Sequence, residues 1–202
     1  VTARFVVLEG GDGSGKSTQV RRLVAWLRAQ GIEVVQTFEP GATAAGVAIR
    51  DLLLHRPEPL DPVAEALLMA ADRAEHVATV IRPALARGAW VVSDRFLPSS
   101  LVYQGLVRAL GVDEVERLNR LATGGVVPDL VLLLDVADDV AETRRGSDTD
   151  RLEAEGGAFH ARVRDAYRTL ASERAWTVID ANGAVDDVEQ AVQRAVTALL
   201  AG

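Results

Sequence analysis

The chain has 202 residues, 49% of them hydrophobic and 25% charged, with a net charge of −7. That content suffices for a sizeable core and is read as one globular domain over residues 1–202, while the acidic balance argues against a general nucleic-acid or anionic-membrane surface, which needs a basic footprint. With no cysteine there is neither a disulfide framework nor a thiolate metal site, and His55, His76 and His160 lack metal-ligand spacing and read as surface or structural residues. No apolar stretch approaches the roughly 18 residues of a membrane span, and the chain runs directly into its first strand without room for a signal peptide, so the expected location is the cytoplasm.

Phe5-Val6-Val7-Leu8 predicts a short buried strand, and Val20, Leu23, Val24 and Leu27 fall on one face of a helix ending near Gln30-Gly31. Between them Gly10-Gly11-Asp12-Gly13-Ser14-Gly15-Lys16-Ser17-Thr18 fits the phosphate-binding pattern G-x-x-x-x-G-K-[ST], in the order of strand, loop and helix that the motif requires. Backbone N–H groups of this loop converge on phosphate at the positive end of the helix; Lys16 bridges the β- and γ-phosphates, and the Ser17 hydroxyl suits Mg²⁺. All but one of the 22 basic residues are arginine, and the exception is Lys16. A lysine kept at this one place points to a need for a compact ammonium, because a planar guanidinium has a different shape.

Glu33 to Thr37 predicts a second strand, closed by Glu39-Pro40-Gly41, and a short helix follows through Ile49, Leu52 and Leu53. Asp61-Pro62 supplies a cap and a first-turn proline for a long helix from about Pro62 to Arg82. Trp90 to Ser93 reads as a third strand delivering Asp94-Arg95 at its carboxyl end, before helices over Ser99–Ala109 and Val112–Thr123. The unbroken apolar run Leu130 to Leu134 fits a parallel strand covered on both faces, ended by Asp135. A charged, glycine-containing stretch from Arg144 to Gly157 precedes a helix with the stripe Phe159, Val163, Tyr167 and Leu170. Trp176 to Ile179 is a fifth strand, and Val185 to Leu200 a closing helix. This alternation predicts a three-layer α/β phosphate-loop fold, with five parallel strands, helices on both faces and ligands outside the strands' carboxyl ends.

A GTPase reading is disfavoured, since its N-K-x-D base-recognition motif needs a second lysine. The phosphate loop with Glu9, Glu39-Pro40-Gly41-Ala42-Thr43, Asp72-Arg73, Asp94-Arg95-Phe96, Ser99 to Gly105, Pro128-Asp129 and Asp150-Arg151-Leu152-Glu153 together resemble the bacterial thymidylate kinase family, in order over nearly the whole chain. The resemblance implies transfer of the γ-phosphoryl group of ATP to dTMP with Mg²⁺, in a homodimer. It implies that Asp94 holds Mg²⁺ with Ser17, and that Arg95 clamps the acceptor phosphate and approaches the transferred one; the other reading of Arg95 is an ion-pair partner for Asp94. On the resemblance, Asp12 approaches the acceptor sugar and the metal region, against a plain reading as a solvated loop carboxylate. Arg73 reaches the acceptor base, against a plain reading as a helix-surface salt bridge. Glu39, Met69, Ser100 and Gln104 complete the acceptor side, with Tyr103 closing the space a 2′-hydroxyl would need. Arg144, Arg145 and Arg151 belong to a lid over about 144–157 that brings positive charge to ATP, as in the branch of the family whose phosphate loop has no arginine at the position of Gly13.

An anionic acceptor phosphate needs no general base, which fits the lack of a catalytic histidine candidate. Phe38, Met69, Phe96 and Val107 depart from the family's usual arginine, aromatic, Tyr or His, and glycine. Two other functions therefore stand beside the first: a kinase for a different or modified nucleoside monophosphate, and a weakly active nucleotide-binding regulator.

Overall fold

The computed structural model describes residues 2–55, 58–144 and 155–200. Five parallel strands form one sheet in the order β2-β3-β1-β4-β5: β1 Phe5–Glu9, β2 Val34–Phe38, β3 Trp90–Asp94, β4 Leu130–Asp135 and β5 Thr177–Asp180. Each strand feeds a helical segment, α1 Lys16–Ala29, α2 Ala44–Leu54, α3 Pro62–His76, α4 Arg82–Ala86, α5 Leu97–Ser100, α6 Val112–Thr123, α7 Asp138–Arg144, α8 Gly157–Glu173 and α9 Val185–Leu200. Among the described residues no helix is long and apolar enough to cross a membrane.

The apolar strands follow from the two-residue period of a strand between helical layers. Val6 and Leu8 of β1, Val92 of β3 and Leu132 and Leu134 of β4 pack with α1 and α9, through Val20, Leu23, Leu27, Val192 and Val196. The alternate residues Phe5, Val7 and Val91 face the other layer and meet Val77, Ile81 and Phe96. Leu133 on that same side meets Phe159, Val163, Tyr167 and Leu170 of α8. The predicted stripes of the first and penultimate helices are thus both buried against the sheet.

Two predicted helices differ in form. The stretch expected as one helix over Pro62–Arg82 is α-helical to His76, π-helical over Val77–Ile81 and α-helical again over Arg82–Ala86. Pro83 lacks an N–H and crowds the carbonyl four residues back, and the wider turn immediately before it accommodates that while keeping Val77 and Ile81 in the core. The helix expected over Ser99–Ala109 starts at Leu97, with Pro98 in its first turn, and becomes π-helical over Leu101–Val107. Strand ends shift by one residue: β2 takes in Phe38, β3 Asp94, and β5 starts at Thr177 and takes in Asp180.

The carboxyl ends of β1, β2 and β3 lie side by side, with Leu8 beside Asp94 and Phe38 beside Asp94 in register. This brings the phosphate loop, Glu39 and Arg95 to one edge of the sheet. Leu27, fully buried between α1 and the sheet, tests the layer that carries the phosphate loop. Leu27→Ala is expected to cost about 2–5 kcal/mol, measured as a lower denaturant midpoint with unchanged slope.

Candidate active site

The loop after β1 closes on itself around Lys16. Its ammonium donates to the carbonyls of Gly10 at 3.0 Å and Gly11 at 2.9 Å, and its side chain is almost wholly buried. Burial and the neighbouring Arg95 push the Lys16 pKa down, partly offset by Asp94, Asp12 and Glu9. An incoming polyphosphate reverses that depression, since a nearby anion favours the charged ammonium. Gly13 has φ 82°, and a Cβ there would lie 2.3 Å from the carbonyl oxygen of Ala141 in α7. A side chain at this position is therefore excluded by backbone, which is the structural reason the loop carries no arginine there.

Ser17 opens α1 and donates its hydroxyl to Asp94 Oδ2 at 2.7 Å, joining the loop to the end of β3. These two hard oxygen donors suit Mg²⁺, which keeps several waters and takes few protein ligands beside substrate phosphates. Among the described residues no group of three or more His, Asp or Glu side chains gathers to hold a metal.

Arg95 follows directly, with the unusual backbone angle φ 71°. A non-glycine residue held there signals a local conformation fixed by its surroundings. Its Nη2 donates to Asp12 Oδ1 at 2.6 Å, and Nη1 donates to Ser99 Oγ and the Tyr167 hydroxyl at 3.1 and 3.0 Å. Arg95 is thus paired with Asp12, not with Asp94 as the plain sequence reading allowed. Burial raises the Asp12 pKa, but Arg95 and Lys16 together outweigh it and the carboxyl is held below its ordinary value. The negative charge inside the loop is compensated from two sides.

Sequence reasoning assigned no role to Glu9 or to the Tyr167 hydroxyl. Glu9 ends β1 with no solvent exposure and accepts from Phe96 N at 2.9 Å, Ser99 Oγ at 2.6 Å and Tyr167 OH at 2.9 Å. A tyrosine in an otherwise apolar helix stripe was the available signal, because a buried phenol usually has a polar partner.

At the far end, Arg73 of α3 is 2% exposed, so it makes no helix-surface salt bridge. Its guanidinium makes four hydrogen bonds, from Nε to Glu39 Oε2 at 2.8 Å, from Nη1 to Ser100 Oγ at 3.0 Å and to Asn119 Oδ1, and from Nη2 to the Phe96 carbonyl at 3.1 Å, and Nη2 also lies 2.8 Å from Glu39 Oε2 as an ion pair. Glu39 also lies 2.8 Å from His76 Nδ1, whose Nε2 is 2.6 Å from Thr37 Oγ1. His76 is a core residue holding Glu39. Met69, Ser100, Tyr103 and Gln104 line the same cavity, and Phe38 stands 45% exposed at its mouth. Phe96 is wholly buried, edge-on to Phe5 and beneath the Arg73 guanidinium, while Val107 packs into the α8 cluster away from the cavity.

One cavity of about 710 Å³ joins these groups, from Lys16 and Ser17 past Asp94 and Arg95 to Tyr103 and Gln104. Arg144 reaches its opposite end, where its guanidinium donates to the carbonyls of Ala181, Asn182 and Gly183 at 2.7, 3.3 and 3.1 Å. It is thus held against the loop after β5 and not extended over the phosphate loop. Arg145, Arg151 and positions 145–154 of the expected lid lie outside the described residues.

A five-stranded parallel sheet flanked by helices, with a phosphate loop after its central strand opening into this cleft, defines an α/β kinase-like protein of the phosphate-loop class. Residues 8–192 match the family described as thymidylate kinase. A thymidylate kinase of Leifsonia xyli is 52% identical over 188 residues, covering 91% of this chain and 90% of its own. One from Synechococcus strain CC9902 is 49% identical, covering 96% and 97%, and one from Clavibacter michiganensis 47%, covering 100% and 98%. The chain belongs to the thymidylate kinase family.

Beside the Glu39–Arg73 pair, Asp72 accepts from Gly41 N at 3.0 Å, where burial first and Glu39 second push its pKa from 3.8 up to about 6. A carboxyl raised on folding contributes stability that is complete below its unfolded value and lost as pH rises through about 6. Asp72→Asn keeps an acceptor for Gly41 and removes the charge. It is expected to raise Tm by a few degrees at pH 8 and by little near pH 4; thermal unfolding that shows the same change at both values contradicts this.

Proposed function

We infer that this protein transfers the γ-phosphoryl group of ATP to dTMP, giving dTDP and ADP. The observation that carries the reading is the single cleft with Arg95 between its two ends: a phosphate loop on one side and an enclosed pocket of Tyr103, Gln104 and Met69 on the other. ATP lies with its phosphates over Gly10 to Thr18 and its base toward Gly183 and Val185, where the flat, pinned guanidinium of Arg144 forms a wall. The acceptor nucleotide lies with its base toward Gln104 and its phosphate toward Arg95.

Arg95 lines the cavity with its guanidinium held by Asp12, Ser99 and Tyr167 and packed over the Tyr103 ring, where it can meet phosphate oxygens. Phosphoryl transfer depends on in-line positioning and neutralisation of developing charge, which Lys16 and Arg95 supply from opposite sides. Mg²⁺, held through Ser17 and Asp94, supplies further neutralisation of the phosphate oxygens. Asp12 holds Arg95 on the acceptor side. Arg151 and Arg145 are proposed to add positive charge at ATP, on the resemblance alone. Gln104 donates Nε2 to Glu65, which leaves its carbonyl oxygen to accept from a base that carries a ring N–H, as thymine does. Phe38 and Met69 give this end apolar walls in place of a cation and an aromatic ring.

ADP release measured with ATP, Mg²⁺ and a panel of dTMP, dUMP, dCMP, dGMP and UMP is expected to show the highest kcat/KM for dTMP. A strong preference for another acceptor identifies a kinase of different specificity, and tight nucleotide binding without turnover identifies a regulator.

The same reading makes the chain one kinase domain in the cytoplasm, acting on free nucleotides and not on nucleic acid. It also makes the protein a homodimer. Supporting this, Val63 and Leu67 of α3 are 53% and 52% exposed and, with exposed Ala71, form an apolar row at four-residue spacing. Light scattering at micromolar concentration is expected to give twice the chain mass for the wild type and the single-chain mass for Leu67→Glu.

A further inference from the structure

The orientation of the Gln104 amide is set by a buried carboxylate behind it. Gln104 is 1% exposed and its Nε2 donates to Glu65 Oε1 at 2.8 Å; Glu65, in the first turn of α3, is itself 1% exposed. A carboxylate accepts hydrogen bonds and does not donate them, so turning the amide over would set Oε1 against a carboxylate oxygen. Gln104 has no other side-chain bond among the described residues, and Oε1 is the group it offers to the cavity it lines.

Arg108 ends the turn that carries Gln104, with its N–H on the Tyr103 carbonyl at 2.8 Å. Its Nε lies 3.5 Å from Glu65 Oε1. Its two terminal nitrogens grip both oxygens of Glu155, and its guanidinium lies over the Phe159 ring at 5.3 Å. Held by Glu155 and by Phe159 of α8, the cation has little freedom to leave Glu65. A positive charge beside a buried carboxylate stabilises the ionised, accept-only form.

We propose that Glu65 and Arg108 are positioning residues that set acceptor-base selectivity: they lock the Gln104 amide with its carbonyl toward the cleft, admitting bases with a ring N–H and rejecting those with a bare ring nitrogen at the same place. The inference rests on the acceptor end holding the dTMP base. Thymine and uracil present the N–H at N3, whereas cytosine presents a lone pair there, which would face the lone pairs of Gln104 Oε1. A site built to satisfy a polar group discriminates by leaving buried groups unpaired when the wrong base enters.

The test compares kcat/KM for dTMP and dCMP in the wild type, Glu65→Gln, Arg108→Met and Arg108→Lys. Glu65→Gln is isosteric but can donate as well as accept, so the Gln104 amide gains its second orientation. The dTMP to dCMP ratio is expected to fall at least tenfold in Glu65→Gln, through opposite movements of the two acceptor KM values, with the ATP KM within twofold of wild type. Arg108→Met is expected to lower the ratio less, and Arg108→Lys to restore part of it. Equilibrium binding of dTMP and dCMP to the same proteins, with circular dichroism to confirm folding, gives a readout independent of turnover. An unchanged ratio in Glu65→Gln, or equal weakening of both pyrimidines in every folded variant, overturns the proposal, because a support role alone has no reason to favour one base. If neither Glu65→Gln nor an Arg108 variant folds, the two residues are structural and the proposal likewise fails. A wild type that does not phosphorylate dTMP defeats the functional reading itself; one that does, with a ratio indifferent to Glu65, defeats only this inference.

Discussion

Burial of Glu9 at the end of the central strand constrains everything around it. A carboxylate removed from water is costly unless it is fully hydrogen-bonded. Desolvation pushes its pKa up, while Arg95 and bonds from Ser99, Phe96 and Tyr167 pull it back. Satisfying Glu9 therefore ties β1 to the start of α5 and to the middle of α8, and it places the Arg95 backbone and guanidinium beside the phosphate loop. The φ of 71° at Arg95 follows as a conformation over-determined by these bonds. The phosphate loop receives its opposing cation because of a carboxylate that itself faces no cavity.

The two ends of the cleft are built on different principles. The phosphate-loop end uses backbone: loop N–H groups, a lysine folded onto two carbonyls, and a glycine position where Ala141 leaves no room for a side chain. The end lined by Tyr103 and Gln104 uses side-chain networks, one buried and running from Thr37 through His76 and Glu39 to Arg73, Ser100 and Asn119, and another from the buried Gln104 and Glu65 out to Arg108 and the exposed Glu155. Such networks are rigid when fully satisfied, and their members hold one another more than they face the ligand. Phe38 is exposed at the mouth of this end, outside the networks.

Different parts of this arrangement were visible in the sequence to different degrees. The motif Gly10 to Thr18 sets the loop, Lys16 and the Ser17 hydroxyl by local spacing, and Asp94-Arg95 announces itself by standing at the end of an apolar run. The helix stripes were equally plain, because periodicity is a local property. The π-helical turns were not: one comes immediately before Pro83, where the proline crowds the preceding turn, and the other spans Leu101–Val107, where Tyr103 and Gln104 are buried.

Composition and spacing by themselves determined a parallel α/β nucleotide-binding fold, the phosphate loop and the residues gathered around it, because each depends on neighbours within a few positions or on strand ends meeting at one edge of a sheet. Tertiary structure alone decided the partners. Arg95 meets Asp12 across 83 positions, Arg73 bonds Glu39, Ser100, Asn119 and Phe96 inside the protein, Arg144 is drawn to the loop after β5, and Gln104 is oriented from Glu65. The reason is physical: a charged or amide side chain buried by the fold must satisfy every donor and acceptor with whatever the packing brings within about 3 Å, and no local pattern encodes which distant residue that will be.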